Sequence, residues 1–395
     1  MKLILIVLGI LLYPFKSIFL AFGFFSVILV EIVKNPVIKI NTKHKSQLFF
    51  LILFYLLHLI GLLYSENYVG GINDVETKMS LFLFPLTGLF FTSKFPLKEK
   101  IVPAFVFSSL LSGFIYLLIS LCRIKGPLEF NELSYNKFSV WMHPTYYGVY
   151  LSVGLFCAIK ITIDETLKIL FYLKCFFIAV IFIFIILTQS RTAISCCILI
   201  STAFIILQNR SGYLNSIKIL SAIAIPLLLF LYLLQNSTGR FSTMVNEIQS
   251  DSVEISKSVN THPLGTRTSI WNSSFRVMKQ HLPFGVGTGD VKDMLIKDYL
   301  QYDFDDGVSK NYNSHNQYLQ TGIAIGIFGL FSLMAVLLIP LVSSICQKDY
   351  FTASIILIFA LSFLTESFLE TEKGVILFSF CYLFFACPLK DNQAT

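Results

Sequence analysis

Long apolar runs recur along this chain, and they constrain its folding more than any other feature. About 18 consecutive apolar residues suffice for a helix to cross the hydrocarbon of a bilayer. Twelve apolar segments are read at 3–13, 17–33, 47–64, 79–92, 101–122, 144–162, 170–188, 192–208, 217–234, 318–345, 351–369 and 374–388. The runs are continuous rather than alternating, which favours helices over barrel strands. Composition agrees, with 55% hydrophobic and 13% charged residues, against about 25% charged in a soluble protein. The expected fold class is an all-α polytopic membrane protein of about 12 transmembrane helices. The first and fourth segments are short, as tilted or broken helices would be. Met1-Lys2 followed by Leu3 to Tyr13 resembles a signal peptide but lacks a small-x-small cleavage site, so it reads as a retained first helix.

Charge sets the expected orientation. With the N-terminus in the cytoplasm, the even-numbered connections and the two ends carry fourteen Lys/Arg; the short odd-numbered ones carry seven. That bias obeys the positive-inside rule. It places both termini in the cytoplasm and puts 65–78, 123–143, 189–191, 235–316 and 370–373 outside. The expected organisation is helices 1–9 in residues 1–234, a large external loop in 235–316 and helices 10–12 in 317–395.

The loop from Gln235 to Asn316 has eight Lys/Arg against nine Asp/Glu, so it is neither polybasic nor an acidic tail. No nucleic-acid partner is expected. Ile270, Trp271, Ser274, Val277 and Met278 make a helical stripe over 268–280. Pro283 and Gly285-Val-Gly-Thr-Gly289 break it. A second short helix is expected from Asp290 to Leu300, capped by Thr288 or Asp290, and 303–313 reads as loop. The glycines look like a dinucleotide fingerprint, but no strand precedes them, so that reading fails its context. An anion-holding turn stays open. The eight cysteines lie in or beside apolar segments and read as small buried hydrophobes. The histidines have no metal-ligand spacing. No metal and no cofactor are expected.

Five places could carry chemistry. His315 sits where the polar loop meets an apolar helix, and histidine is the side chain whose charge ordinarily changes near neutrality. Gly322, Gly326 and Gly329 follow it at spacings that let a neighbouring helix pack closely. Arg191 joins two apolar helices almost without a loop, a costly position for a charge. It reads either as a phosphate clamp or as a cation snorkelling to headgroups. Arg267, four residues before Trp271, suits a diphosphate beside a sugar face or an ordinary surface. His143, in His143-Pro-Thr-Tyr-Tyr-Gly148, is the second candidate base, with Tyr146 beside it. Glu366, Glu370 and Glu372 cluster near the end of the eleventh segment, as acid/base groups, sugar ligands or a polar rim.

These motifs together resemble the O-antigen ligase and Wzy-type polymerase superfamily. Its signature is His, then Asn/Ser/Gln, nine residues, Gly, two residues and Gly/Thr/Tyr, and His315-Asn316…Gly326…Gly329 fits without a gap. Ser190-Arg191, Arg267 with Trp271, the Pro283–Gly289 stretch and the His143–Gly148 stretch agree, so the likeness spans about 144–330. The resemblance implies a GT-C-like glycosyltransferase of the bacterial inner membrane with its site on the periplasmic side. The donor would be a glycan on undecaprenyl diphosphate and the acceptor a sugar hydroxyl of lipid A–core, without a metal. His315 would be the general base, and Arg191 and Arg267 would hold the donor diphosphate. His143, Tyr146, Trp271, Asn316 and Glu366 would be accessory. A Wzy-type polymerase, a protein O-oligosaccharyltransferase and a transporter of lipid-linked sugar remain alternatives.

Overall fold

The computed structural model describes residues 2–34, 45–90, 97–124, 130–208, 217–221, 223–225, 227–228 and 263–387. It is helical throughout, with no strand among the described residues. The helices are α1 (Lys2–Leu12), α2 (Ile18–Lys34), α3 (Lys45–Leu63), α4 (Tyr68–Lys78), α5 (Ser80–Phe90), α6 (Leu97–Arg123), α7 (Pro144–Ile163), α8 (Lys168–Leu187) and α9 (Arg191–Gln208). There follow α10 (Pro263–His281), α11 (Val291–Gln301), α12 (Asp305–Lys310), α13 (Gln317–Cys346), α14 (Tyr350–Thr365) and α15 (Glu372–Cys381), the last prolonged by a π-turn at Tyr382–Ala386.

Five of these helices are long and apolar enough to cross a membrane: Ser46–Leu63, Lys100–Arg123, Pro144–Ile163, Lys168–Leu187 and Gln317–Cys346. Others are shorter; the 16 residues of α14 extend about 24 Å. The protein is a polytopic helical membrane protein. Of the ninth expected segment, 217–221, 223–225 and 227–228 are described, all helical. Residues 235–262 of the expected loop lie outside the described residues.

Helix α7 is the centre of the bundle, because it is apolar all round and has 89% of its length buried. It packs against α6, α8, α9 and α14. Its buried hydroxyls are spent inside the bundle: Tyr147 on Ser112, Tyr150 on Ser108, and Ser152 on the Gly148 carbonyl. A hydroxyl left unpaired there would cost a few kcal/mol.

The connections expected outside converge on one end of the bundle. Gln189 Nε2 donates to Ser134 Oγ at 2.8 Å, Thr192 and Thr365 share a hydrogen bond at 2.6 Å, and Lys373 Nζ reaches the Trp141 carbonyl at 2.8 Å. Two stretches read as irregular are helical. Residues 68–78 form α4, started by Asn67, whose Oδ1 accepts from the Gly70 N–H. Residues 305–310 form α12, ended by Asn311 in the left-handed region.

The glycine-rich turn is a splice rather than an anion cradle. Helix α13 is broken at Ile325 and Gly326, where Gly326 takes φ +63°. The break frees backbone groups, and an unpaired group in hydrocarbon costs several kcal/mol. The turn supplies the partners. Val286 and Gly287 donate to the Ile323 and Ala324 carbonyls at 2.8 and 3.0 Å, and Ile327 donates to the Pro283 carbonyl at 2.9 Å. The remaining N–H groups of the turn are also spent: Thr288 on the Gly61 carbonyl, Gly289 on Ser65 Oγ and Asp290 on the Gly287 carbonyl. The N–H groups from Gly285 to Asp290 are thus all engaged within the protein. Asp290 occupies the expected cap position, but its carboxylate instead accepts from the Glu66 and Asn67 N–H groups.

The three glycines expected to pack a neighbouring helix therefore have separate jobs. A Cβ on Gly322 would meet Met278 of α10 at 2.4 Å, so here a neighbouring helix does approach closely. A Cβ on Gly326 would lie 1.9 Å from the Pro283 carbonyl oxygen. Gly329 makes room for Ile325 of its own helix.

Candidate active site

A cavity of about 490 Å³ opens at this end of the bundle. His143, Arg191, Arg267, His315 and Glu366 all line it, though they span more than half of the chain. Four helices begin at or near it: α7 after His143, α9 at Arg191, α10 four residues before Arg267, and α13 two residues after His315. A helix N-terminus carries a partial positive charge that favours anions. Arg191 and Arg267 add two full charges to that field, while Lys310, also on the lining, is paired with Asp306.

His315 is fixed from several directions. Its backbone is left-handed, φ 40°, a conformation that costs a non-glycine residue on the order of 1 kcal/mol. Its N–H donates to Asn313 Oδ1 at 3.0 Å, and its ring meets Tyr312 edge-on at 5.6 Å. Asn316 next to it caps α13, accepting from the Tyr318 and Leu319 N–H groups. The Asn316 amide also donates to the Leu364 carbonyl at 3.0 Å, tying this turn to the end of α14.

Glu366 follows the last turn of α14 in an extended conformation, which turns its side chain back across the chain. Its Oε1 lies 3.2 Å from His315 Nδ1. A carboxylate can only accept, so Nδ1 carries a proton, and in the neutral ring the lone pair falls on Nε2. Of the three clustered glutamates only Glu366 reaches the cavity. Glu370 is ion-paired with the buried Lys78, and Glu372 accepts from Ser17 Oγ at 3.0 Å.

His143 caps α7: its Nδ1 accepts from the Thr145 N–H at 3.4 Å. Tyr146 stands one turn along, 6% exposed, with its ring 4.9 Å from Phe368 rather than in the cavity. Trp271 lies beyond the cavity-lining Ile270, its indole N–H buried and unpaired among the described residues.

Sequence reasoning missed Tyr135, Gln189, Tyr312, Asp306 and Lys310, all on the cavity wall. Tyr135 and Gln189 share the left-handed backbone of His315, with φ 56° and 51°. Such outliers gather at functional sites, but no sequence pattern announces them. The Asp306–Lys310 pair has the i,i+4 spacing of a helical ion pair, and that was a legible sign of α12.

Comparison with known proteins agrees with the resemblance read from the histidine signature. Residues 176–334 match the family described as O-Antigen ligase. The matched stretch includes Arg191, Arg267 and His315 and stops short of Glu366. Over 306 residues the chain is 24% identical to an uncharacterized protein of Haemophilus influenzae, a match covering 76% of this chain and 73% of that protein.

Proposed function

We propose that this chain, whose residues 176–334 carry the O-antigen ligase match, is a membrane glycosyltransferase of that type. It moves a glycan from a polyprenyl diphosphate, undecaprenyl diphosphate in bacteria, to a sugar hydroxyl of lipid A–core on the periplasmic face. The observation that carries this reading is the His315–Glu366 pair facing the same cavity as Arg191 and Arg267.

A sugar hydroxyl is a poor nucleophile, and a positioned base is worth about 10²–10⁴-fold. His315 Nε2 accepts the hydroxyl proton as the oxygen attacks the anomeric carbon. Glu366 then faces an imidazolium and stabilises it. As the new carbon–oxygen bond forms, the bond to the diphosphate breaks and its electron pair leaves with the diphosphate. Arg191 and Arg267, backed by the helix N-termini, meet that charge as it develops. One displacement inverts the anomeric centre. The donor's lipid tail would stay in the bilayer beside the bundle, and a cavity at the ends of the helices suits that arrangement.

The test uses a strain lacking this protein, complemented with wild type or His315→Ala. Lipid A–linked and carrier-linked glycans are resolved side by side on gels. The reading expects long polymer stranded on the carrier and bare core with His315→Ala. A core capped by a single repeat would instead mean a polymerase. An unchanged ladder would remove His315 as the base and overturn the mechanism.

A further inference from the structure

A buried ion pair stands behind the catalytic dyad without touching the cavity. Lys78, at the end of α4, is fully buried, and its Nζ lies 2.6 Å from Glu370 Oε2. The other oxygen of Glu370 accepts from Gln317 Nε2 at 3.1 Å. Gln317 is itself fully buried and opens α13, two residues after His315. Its Oε1 accepts from the Leu369 N–H at 2.7 Å. Burying two charges costs several kcal/mol per ion before their attraction is counted, so the pair calls for a reason beyond filling space.

The reason lies in what the pair holds. The strap from Glu366 to Lys373 is anchored almost residue by residue. Ser367 Oγ accepts from the Asn316 N–H at 3.2 Å, Phe368 packs on Tyr146, and Lys373 donates to the Trp141 carbonyl. The Lys78–Glu370–Gln317 chain links this strap to both α4 and the first turn of α13 through side chains. Burial alone would pull the Lys78 ammonium down, yet Glu370 and Asp74 outweigh it and hold it above the usual lysine value. The lysine is therefore charged, and the clamp is ionic.

We propose that Lys78 is a positioning residue for the dyad: acting through Glu370 and Gln317, it holds the strap and the start of α13 in the register that brings Glu366 to His315. This rests on the reading of His315 as the base. Lys78 and Glu370 touch no substrate. A displacement of about 1 Å at the dyad is enough to cost about 10²-fold in turnover.

The experiment reads His315 directly, by NMR titration of histidine-labelled full-length protein in nanodiscs, with the signal assigned by its loss in His315→Gln. Transfer from a lipid-linked donor is measured in parallel. Lys78→Met should shift the His315 titration in the same direction as Glu366→Gln, and combining the two should add little. Turnover should fall about 10²-fold with the donor KM unchanged, and Lys78→Arg should restore both readouts. Should Lys78→Met fail to fold, the pair Lys78→Met with Glu370→Leu removes both partners of the ion pair and with them the acceptor of Gln317 Nε2, and it should show the same shift. A folded Lys78→Met or double variant that leaves the His315 titration at its wild-type position overturns the proposal. Loss of the functional reading looks different: His315→Ala would still transfer glycan, whatever the titrations show.

Discussion

Two helix starts on the same cavity each present a histidine, and the two rings are held in opposite senses. At the start of α7, His143 Nδ1 accepts the Thr145 N–H, so the neutral ring carries its proton on Nε2. At the start of α13, Asn316 takes over the capping. That frees His315 Nδ1 to donate to Glu366, and the lone pair falls on Nε2. The residue types are the same and the local settings are similar, but of the two neutral rings His315 has its lone pair on Nε2, as the proposed base requires. The difference arises from who caps the helix. A histidine that caps cannot be oriented by a carboxylate through the same nitrogen.

The sharpest way to break this comparison is to exchange the bases. His315→Ala should lower transfer by about 10²–10⁴-fold, and His143→Ala by less than about tenfold. The reverse order, measured as initial rates in membranes, would mean the two rings are misassigned. Next in size is Glu366→Gln. An amide can donate to Nδ1, which would turn His315 into the tautomer of His143. An acid-to-amide change behind a catalytic histidine costs about 10⁴-fold in the serine-protease case, so a loss of about 10²–10⁴-fold in kcat is expected. Unchanged kcat would show that the carboxylate does not set the tautomer. Smaller again is the structural cost of His143→Ala, the loss of one helix cap, about 1 kcal/mol. It should appear as a lowered Tm, which His143→Asn would largely recover.

A last effect, on stability alone and dependent on pH, concerns a third carboxylate and tests how far the ionic support of His315 extends. Asp74 is pushed up to about 6; burial is the main cause, Lys78 and Lys292 pull the other way, and Glu370 adds to the rise. A carboxyl raised in the folded state binds its proton more tightly there than in the unfolded chain. Its stabilising contribution is present below the unfolded value near 4 and is lost as pH rises through about 6. Asp74→Asn should therefore raise the Tm at pH 7.5, by at most about 3 kcal/mol of stability, and make no difference near pH 3.5. Thermal melts in detergent at the two pH values check the sign.

The membrane class was legible because apolar periodicity and run length are local properties. The boundaries of α7, α8 and α13 fell within a few residues of the expected ones. Of the cavity-lining residues, His315, Arg191 and His143 were legible because an ionisable group beside an apolar run is conspicuous, and Arg267 because Trp271 stands one turn further on. The helices α4 and α12 were not, because both are short and polar and their stability comes from packing rather than pattern. Gly326 shows how a local signal can mislead. Its spacing from Gly322 and Gly329 suggested a packing face, whereas its φ of +63° serves a break that a distant turn repairs.

The sequence by itself determined the solvent, the helical class and the residue types able to do chemistry, because each follows from composition within a short window. The tertiary structure alone decided which of these residues meet. Glu366 stands 51 positions from His315, and Lys78 stands 292 from Glu370. Tyr135 and Gln189 enter the site only through a backbone conformation that local propensity disfavours. Such pairings depend on how helices close on one another in space, and no pattern along the chain records that distance.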